Sequence, residues 1–259
     1  MNQQELKKAV SKLRLGDLKY YESIGSTNDE ALAWAANDTP DLSLVVADEQ
    51  TAGRGRLDRK WFTPKGTALA FSLLLRPTAE EKPFLTRIVG LAALAVAESL
   101  LKLKLNPQIK WPNDILINGE KVCGILTESV WSGEDVDSVV IGIGINILRG
   151  AVPPAESLLF PATSVEEELG NAPDRLEILR DILAALIELR PQIGTDEFLK
   201  RWQRLLAFQE QPVQVESGTT PPVIGYVAGL DPDGSLRLQK EHGETVTVRF
   251  GDVRLRPLA

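Results

Sequence analysis

Two apolar segments joined by the dipeptide Asn118-Gly119 constrain the fold of this chain more than any other feature. Asn and Gly at the centre of a two-residue connection favour a type I′ turn, whose twist matches that of two paired strands. We therefore expect Asp114 to Ile117 and Glu120 to Thr127 to form an antiparallel hairpin. A β-sheet built around this hairpin is the expected centre of the fold.

The hairpin register brings a cation and a carboxylate together. Uninterrupted pairing places residue 117 opposite 120, 116 opposite 121 and 114 opposite 123, so Lys121, Asp114 and Cys123 share one face of the sheet. An apolar run follows Lys121 and keeps its ammonium close to the sheet. The pair is either a structural ion pair or the charged centre of a site, and the residues alone leave both open. Cys123, between Val and Gly in a strand, is interpreted as a packing residue.

The rest of the first 209 residues predicts a mixture of strands and helices. Thr27 to Glu30 reads as a capping box that begins a helix, with Thr27 as the cap. Apolar runs and alternation predict strands, and helical spacing predicts helices. The strands are Ser43 to Ala47, Ala68 to Leu75 and Ser138 to Ile147, and the helices are one short helix within residues 1 to 17, Arg87 to Leu103, Arg175 to Leu189 and Asp196 to Phe208.

After Gln209 the pattern changes to short alternating segments separated by Pro, Gly and Asp turns. These segments are Val213 to Val215, Val223 to Gly229, Ser235 to Gln239 and Thr245 to Phe250. Such a tail predicts a small all-β barrel. We therefore divide the chain into residues 1–209, with strands and helices, and residues 210–259, with the barrel.

Charge and the rare residue types exclude several classes of function. The chain carries 29 Lys and Arg against 36 Asp and Glu, a net charge of -7 that disfavours broad binding to nucleic acid. One cysteine and one histidine cannot build a disulfide framework, a CxxC zinc site or a histidine-rich metal cluster. His242 lies in a turn-like stretch and is a poor candidate for a catalytic base.

The amino-terminal residues carry no apolar core of the kind found in signal peptides. The longest apolar stretch, Ile88 to Leu101, contains Glu98 and is too short to span a bilayer. We therefore expect a cytoplasmic protein without a membrane segment. The residues before Ser26 are too few to supply a winged-helix or helix-turn-helix DNA reader, so we also expect no DNA binding.

The segment Gly53-Arg54-Gly55-Arg56, followed by Arg59 and Lys60, combines glycines with cations. Glycine permits backbone angles that turn successive N–H groups toward one point, and arginine adds a fork-shaped charge. Such a loop can wrap an anion, but a basic surface loop or an RGG-like nucleic-acid tract has the same composition. The spacing matches neither a P-loop nor a dinucleotide fingerprint.

A second glycine pattern lies in the strand Val140 to Asn146. A period of two places Gly142, Gly144 and Asn146 on one face and three isoleucines on the other. The bare face indicates either a flat ligand lying on the backbone, with Asn146 bonding its edge, or close packing of a helix. Ser26-Thr27-Asn28 offers hydroxyls and an amide at a helix start, where capping alone accounts for them.

Taken in order, these segments resemble the motifs of the biotin protein ligases, also called biotin–[acetyl-CoA-carboxylase] ligases. The motifs are Ser26-Thr27-Asn28, Gln50 with Gly53-Arg54-Gly55-Arg56, Lys110-Trp111-Pro112-Asn113-Asp114, Lys121 with Gly124-Ile125-Leu126, and Gly142-Ile143-Gly144-Ile145-Asn146. The resemblance covers residues 26 to 147 by motif and the rest by architecture. It implies an α+β fold, in which a mixed β-sheet flanked by helices forms a class II synthetase-like catalytic domain and is followed by a small SH3-like C-terminal barrel. It also implies the monofunctional type without a DNA-binding domain.

The activity implied by the resemblance is ATP-dependent and AMP-forming. Biotin is activated as biotinyl-5′-AMP with release of pyrophosphate and is then passed to one lysine of the biotin carboxyl carrier protein of acetyl-CoA carboxylase. Mg²⁺ accompanies ATP, and homodimers are common among similar proteins. The alternatives are a lipoate or other acyl-adenylate ligase, although a chain with only His242 cannot match the histidine-containing lipoate ligase motif, and a ligand-binding regulator without catalysis.

The resemblance also implies roles for individual residues. Catalytic residues are Lys121, Arg56 and Arg54. Biotin is bound by Ser26, Thr27, Asn28, Gln50, Gly53, Arg54, Arg56, Lys121, Gly124, Gly142 and Gly144. ATP is bound by Arg56, Arg59, Trp61, Lys110, Asn113 and Asn146, and Asp114 is a candidate Mg²⁺ ligand. Asp58 replaces the third glycine that similar proteins carry in this loop, which leaves the phosphate contacts of Arg59 open.

Overall fold

Two β-sheets organise the chain, one of seven strands and one of five. The computed structural model describes residues 1–57, 59–217, 221–249 and 253–257. The strands of the first sheet are β1 (Leu18–Tyr21), β2 (Ser43–Ala47), β3 (Ala68–Leu75), β4 (Pro107–Lys110), β5 (Asp114–Ile117), β6 (Glu120–Ser132) and β7 (Asp135–Asn146). Their order is β1-β2-β3-β7-β6-β5-β4, and β1 and β2 are parallel while the other neighbours are antiparallel.

The second sheet follows the last helix and forms the small C-terminal barrel-like unit. Its strands are β8 (Pro212–Ser217), β9 (Val223–Leu230), β10 (Leu236–Gln239), β11 (Thr245–Val248) and β12 (Val253–Pro257), in the order β11-β10-β9-β8-β12. The predicted α+β class, with a mixed sheet followed by a small barrel, is confirmed. Phe250, the predicted end of the fourth strand segment, lies outside the described residues.

Helices cover both faces of the first sheet. They are α1 (Gln3–Ala9), α2 (Thr27–Ala35), α3 (Ile88–Lys102), α4 (Val165–Leu169), α5 (Arg175–Leu189) and α6 (Asp196–Arg204). Helix α2 packs on one face, where Ala31 and Ala35 meet Val45, Leu74 and Val140 in a small apolar cluster. Helix α3 packs on the other face, with α5 against it, and together they bury the main core.

The apolar helix α3 is a core element. The segment Lys82–Lys102 is long and apolar enough to cross a membrane by length and composition, but 72% of its most apolar window is buried inside the protein. Twelve residues of α3 are buried between the sheet and α5. Its hydrophobicity is therefore accounted for by the packing that it makes within the fold.

Several elements differ from the sequence-based expectation. The short helix predicted within residues 1 to 17 is confirmed as Gln3–Ala9. Helix α6 was predicted to reach Phe208 but ends at Arg204, because residues beyond it bond to β4, with Ile109 N donating to the Leu205 carbonyl at 2.6 Å. The cap of α2 is Ser26, and Thr27 is the first helical residue. The predicted capping box with Thr27 as the cap was therefore wrong, and the Thr27 side chain is available for other contacts.

The β5–β6 hairpin has the predicted turn but not the predicted register throughout. Residues 117 and 116 pair with 120 and 121 as expected, after which a β-bulge shifts the pairing so that Asp114 lies opposite Gly124. The extra residue is Val122, which is fully buried. Because the bulge reverses the alternation of faces, Cys123 joins the core on the α3 side, and its predicted position beside Lys121 and Asp114 was wrong.

Candidate active site

A cavity of about 530 Å³ opens on the α2 side of the first sheet. Its floor is the middle of β6 and β7, and its walls are the start of α2, the loop between β2 and β3, the β4–β5 connection and the segment after β7. Sixteen of the residues singled out in the sequence line it. They are Ser26, Thr27, Asn28, Gln50, Arg54, Arg56, Arg59, Trp61, Lys110, Asn113, Asp114, Lys121, Gly124, Gly142, Gly144 and Asn146.

Gly53 is the predicted site residue that does not line the cavity. It is buried beneath the loop, where its carbonyl accepts a hydrogen bond from Trp61 N at 2.8 Å. A Cβ atom at Gly53 would overlap the Trp61 carbonyl oxygen. The glycine is therefore required for the close approach of two backbone segments, and the structure gives it no direct ligand contact.

One end of the cavity is polar and held by buried hydrogen bonds. Gln50 Oε1 accepts bonds from the backbone N of Thr27 at 2.8 Å and from its Oγ1 at 3.0 Å. Ser72 Oγ lies 2.8 Å from Thr27 Oγ1 and 2.5 Å from Asn28 Oδ1. Gln50 and Ser72 thus fix the Thr27 and Asn28 side chains at the start of α2, so this end presents a fixed set of donors and acceptors.

The middle of the cavity carries a buried carboxylate between two lysines. Asp114 Oδ1 lies 2.5 Å from Lys121 Nζ, and Asp114 Oδ2 lies 3.2 Å from Lys110 Nζ. Burial alone would raise the pKa of Asp114, but the two ammonium groups outweigh it and hold the pKa below its usual value. The three side chains therefore carry one net positive charge, which suits an anionic ligand.

The bulge in β6 explains how these charges meet. It turns both Lys121 and Gly124 toward Asp114, and the Lys121 ammonium lies over the bare backbone of Gly124.

On the neighbouring β4–β5 connection the Trp111–Pro112 peptide is cis. Asn113 is fixed against β6, because its Nδ2 donates to the Ile125 carbonyl at 2.8 Å and Ile125 N donates to the Asn113 carbonyl at 2.9 Å.

Side chains from the walls cover the glycine floor. A Cβ atom at Gly142 would overlap the Asn28 amide, and one at Gly144 would overlap the Trp61 indole. Close packing of helix α2 therefore accounts for Gly142. At Gly144 a flat side chain lies on the strand, and Lys121 Nζ is 5.4 Å from the centre of the same indole ring.

The two glycine-flanked arginines have different partners. Arg54 makes a two-pronged pair with Glu128 at 2.9 and 2.7 Å and also contacts Asp29 at 2.7 Å. Hydrogen bonding to Glu128 is the largest of the effects that raise the pKa of Arg54. Arg56 Nη1 donates to Asn113 Oδ1 at 3.2 Å, which links the loop to the β4–β5 connection.

Three features of the site were missed in the sequence. Ser72 had a signal, since it is the one polar residue in the apolar strand β3. Glu128 had none, because its partners are 74 and 100 positions away along the chain. The segment 151–162 closes one side of the cavity and places the Phe160 ring 4.5 Å from Lys110 Nζ, but its irregular sequence has no periodicity to indicate this.

The described residues contain no group of three or more His, Cys, Asp and Glu side chains placed to hold a metal ion. At Asp114 each carboxylate oxygen is already engaged by a lysine. The donor set around Asp114 is cationic and does not fit a metal site formed by the protein alone.

The mixed sheet with its cationic cavity, followed by a small barrel, places the chain in the class of biotin and lipoate ligases. Residues 20–146 match the Biotin/lipoate A/B protein ligase family, and residues 210–256 match the Biotin protein ligase C terminal domain.

Individual relatives are named as ligases, and two of the three below as biotin ligases. The chain is 39% identical to the Bifunctional ligase/repressor BirA of Bacillus subtilis, with 87% of this chain and 70% of that protein covered. It is 38% identical to the Biotin--[acetyl-CoA-carboxylase] ligase of Paracoccus denitrificans, with 85% and 93% covered. The solved biotin protein ligase from Aquifex aeolicus in complex with biotin and ATP has a TM-score of 0.80 at 28% identity, with 93% and 99% covered. The chain belongs to the biotin protein ligase family.

Proposed function

We propose that this enzyme joins biotin to a carrier protein in two steps. First, a carboxylate oxygen of biotin attacks the α-phosphorus of ATP, which forms biotinyl-5′-AMP and releases pyrophosphate. Second, the amine of one lysine on the biotin carboxyl carrier protein of acetyl-CoA carboxylase attacks the acyl carbon, and AMP leaves. The observation that carries the proposal is a single cavity with a polar end, a glycine floor and fixed cations, in a chain of this family.

The polar end of the cavity suits the ureido ring of biotin. This ring needs both donors and acceptors, which Ser26, Thr27 and Gln50 provide at the start of α2. Its apolar body needs a dry slot, and the cavity lining at Gly124, Leu126 and Gly142 offers one beside Asn28. These residues are the proposed biotin contacts, together with Gly144, Arg56 and Lys121.

The cations in the middle of the cavity suit the first reaction step. Two anions meet when a carboxylate attacks a phosphate, and negative charge grows on the phosphate oxygens. Lys121 is the proposed catalytic cation, with Lys110, Arg56 and Arg59 on the phosphates. These are all side chains that line the cavity. Asn113, Asn146 and Trp61 are proposed to frame the adenine.

We propose that Mg²⁺ enters with ATP and is held by its phosphates. Mg²⁺ in nucleotide sites keeps several waters and uses few protein carboxylates. Asp114, the ligand considered from the sequence, has both oxygens engaged by lysines. Its proposed role is therefore to orient Lys110 and Lys121.

Exchange of labelled pyrophosphate into ATP tests the first step. The expected result is exchange that depends on biotin and is not supported by lipoate. Exchange driven by lipoate at a comparable rate would assign the chain to the lipoate ligases. Binding of biotin without any exchange would instead identify a ligand-binding regulator.

Three further properties are proposed on the same basis. The enzyme acts in the cytoplasm, does not bind nucleic acid and forms a homodimer. Sedimentation velocity measures the oligomeric state. Specific retention of a promoter fragment at physiological salt would contradict the second property, because phosphate attraction alone fades steeply with salt.

A further inference from the structure

Glu128 lies behind the wall of the cavity and connects two of its parts. Its carboxylate accepts two hydrogen bonds from Arg54, at 2.9 and 2.7 Å, and one from Asn28 Nδ2 at 2.8 Å. Arg54 belongs to the loop between β2 and β3, whereas Asn28 belongs to the first turn of α2. One side chain of β6 therefore holds the loop and the helix together.

Glu128 does not line the cavity, but both of its partners do. Its side chain is 26% exposed, and the Arg54 side chain is 39% exposed. An isolated surface ion pair of that exposure contributes little. Here, however, the pair is bidentate, and the Glu128 carboxylate also accepts a hydrogen bond from the Asn28 amide, which is 2% exposed. Three hydrogen bonds therefore fix the position of this carboxylate.

The same contacts limit what Arg54 can do. Its guanidinium bonds Glu128 on β6 and Asp29 on α2. A carboxylate or phosphate of the ligand would have to compete with two carboxylates already in place. Arg56, the next arginine of the loop, donates a hydrogen bond to the neutral amide of Asn113 at 3.2 Å.

We propose that Glu128 is a positioning residue for biotin binding. It fixes the Asn28 amide, and through its bonds to Arg54 it holds the loop between β2 and β3 closed over the start of α2. The inference rests on the proposed function, and it gives Arg54 a role different from the ligand contact implied by the resemblance. Glu128 itself touches neither substrate nor reacting atoms.

The role predicts a selective loss of biotin affinity. Glu128→Ala removes the acceptor of three charge-assisted hydrogen bonds, so the Kd for biotin, measured by calorimetry without ATP, should rise by about tenfold or more. The KM for biotin should rise in parallel in the formation of biotinyl-5′-AMP. The KM for ATP and kcat should stay within about twofold, because Lys110, Lys121 and Asp114 keep their contacts.

A matched control removes a similar ion pair elsewhere on the same sheet. Asp137 of β7 pairs with Arg76 at 2.7 Å, its side chain is 40% exposed, and neither residue lines the cavity. Asp137→Ala should leave the Kd for biotin unchanged. If both variants weaken biotin equally, Glu128 has only a general structural role and the proposal is overturned.

A second variant and a mutant cycle separate positioning from folding. Glu128→Gln keeps the size of the side chain and should raise the Kd for biotin in the same direction if Glu128→Ala does not fold. In an Arg54→Met background the further effect of Glu128→Gln should fall below about threefold, since coupled residues are not additive. A folded Glu128→Gln protein with normal biotin affinity, or full additivity in the cycle, would overturn the inference.

The binding measurement also keeps the two proposals apart. A wild-type protein that binds biotin but makes no adenylate contradicts the proposed function, while the Kd values still decide the role of Glu128. A wild-type protein that binds no biotin contradicts both.

Discussion

At the residue scale, Asp114 decides the charge of the cavity. It is buried, yet it carries two lysine partners that hold its pKa below the usual value. A carboxyl with a lowered folded pKa contributes stability above its ordinary pKa and loses it as the pH falls through the lowered value. Asp114 therefore stays ionised from mildly acidic pH upward, and the cation pair that it orients stays in place over the same range.

Lys121 is the residue in which we expect the largest loss of chemistry. Lys121→Ala should cut the single-turnover rate of biotinyl-5′-AMP formation by a factor on the order of 10² to 10³, the loss seen for one preorganised electrostatic donor. Lys121→Arg should restore little, because a planar fork does not reproduce a compact charge in a tight site. Transfer from preformed adenylate is measured separately. Near-normal adenylate formation in a folded Lys121→Ala protein would reduce the lysine to a structural partner of Asp114.

Cys123 should be chemically inert in the folded protein. Burial raises the pKa of its thiol, so the reactive thiolate is absent at neutral pH, and the side chain is fully buried. Incubation with iodoacetamide followed by mass spectrometry should show alkylation only after denaturation. Rapid labelling of native protein would contradict the core position that the bulge gives this residue.

At the element scale, the bulge in β6 shows what sequence patterning can and cannot predict. The limits of β2, β3 and α5 were predicted to the residue, because apolar runs and helical periodicity report burial directly. The hairpin turn was predicted by Asn118-Gly119. The one-residue shift at Val122 was not, because the bulge lies in an apolar run, where residue types do not show which position interrupts the alternation.

The same limit applies to the loop between β2 and β3. Its glycines and arginines predicted an anion-binding loop near the cavity, and the loop does lie there. The partner of each arginine could not be predicted, because Glu128 on β6 and Asn113 in the β4–β5 connection are distant in sequence from the loop. Asp58, the departure from the usual glycine, lies outside the described residues.

Arg56→Gly should loosen the loop without abolishing the first step. The change removes the bond from Arg56 to Asn113 and a cation from the cavity mouth, while Lys121 and Asp114 keep their contacts. We expect a protein that still makes adenylate but releases it, so that lysines of bystander proteins become biotinylated in solution. Streptavidin blots of added serum albumin measure this release. Retention of the adenylate as long as in wild type would contradict the clamp role of Arg56.

At the scale of the whole molecule, the C-terminal sheet is hydrogen-bonded to the part of the chain that forms the cavity. The turn between β9 and β10 receives hydrogen bonds from three side chains of the first part of the chain. Trp111 Nε1 donates to the Gly234 carbonyl at 3.0 Å, and Thr86 Oγ1 donates to the Asp233 carbonyl at 2.8 Å. Because Trp111 also lines the cavity, the position of this turn bears directly on the β4–β5 connection.

Of these three side chains, Arg87 makes the most hydrogen bonds. It is 4% exposed, and its guanidinium donates to the Ile193 carbonyl at 2.8 Å and through two nitrogens to the Pro232 carbonyl, with Nε at 2.7 Å. Burial lowers the pKa of Arg87. Carbonyl groups and the nearby carboxylates of Asp196 and Asp233 stabilise the charge, so truncation leaves the buried Ile193 carbonyl without this donor.

Arg87→Ala should therefore lower the free energy of unfolding by about 2 to 4 kcal/mol, because it leaves the buried Ile193 carbonyl without a charged donor and removes the two bonds to Pro232. Urea unfolding followed by tryptophan fluorescence measures the change. Arg180→Ala is the matched control, because that guanidinium is 44% exposed and pairs with Glu177 and Asp181 on the surface of α5. The control should shift the free energy by less than about 0.5 kcal/mol. Equal shifts in the two variants would mean that the junction at Pro232 contributes no more to stability than a surface ion pair.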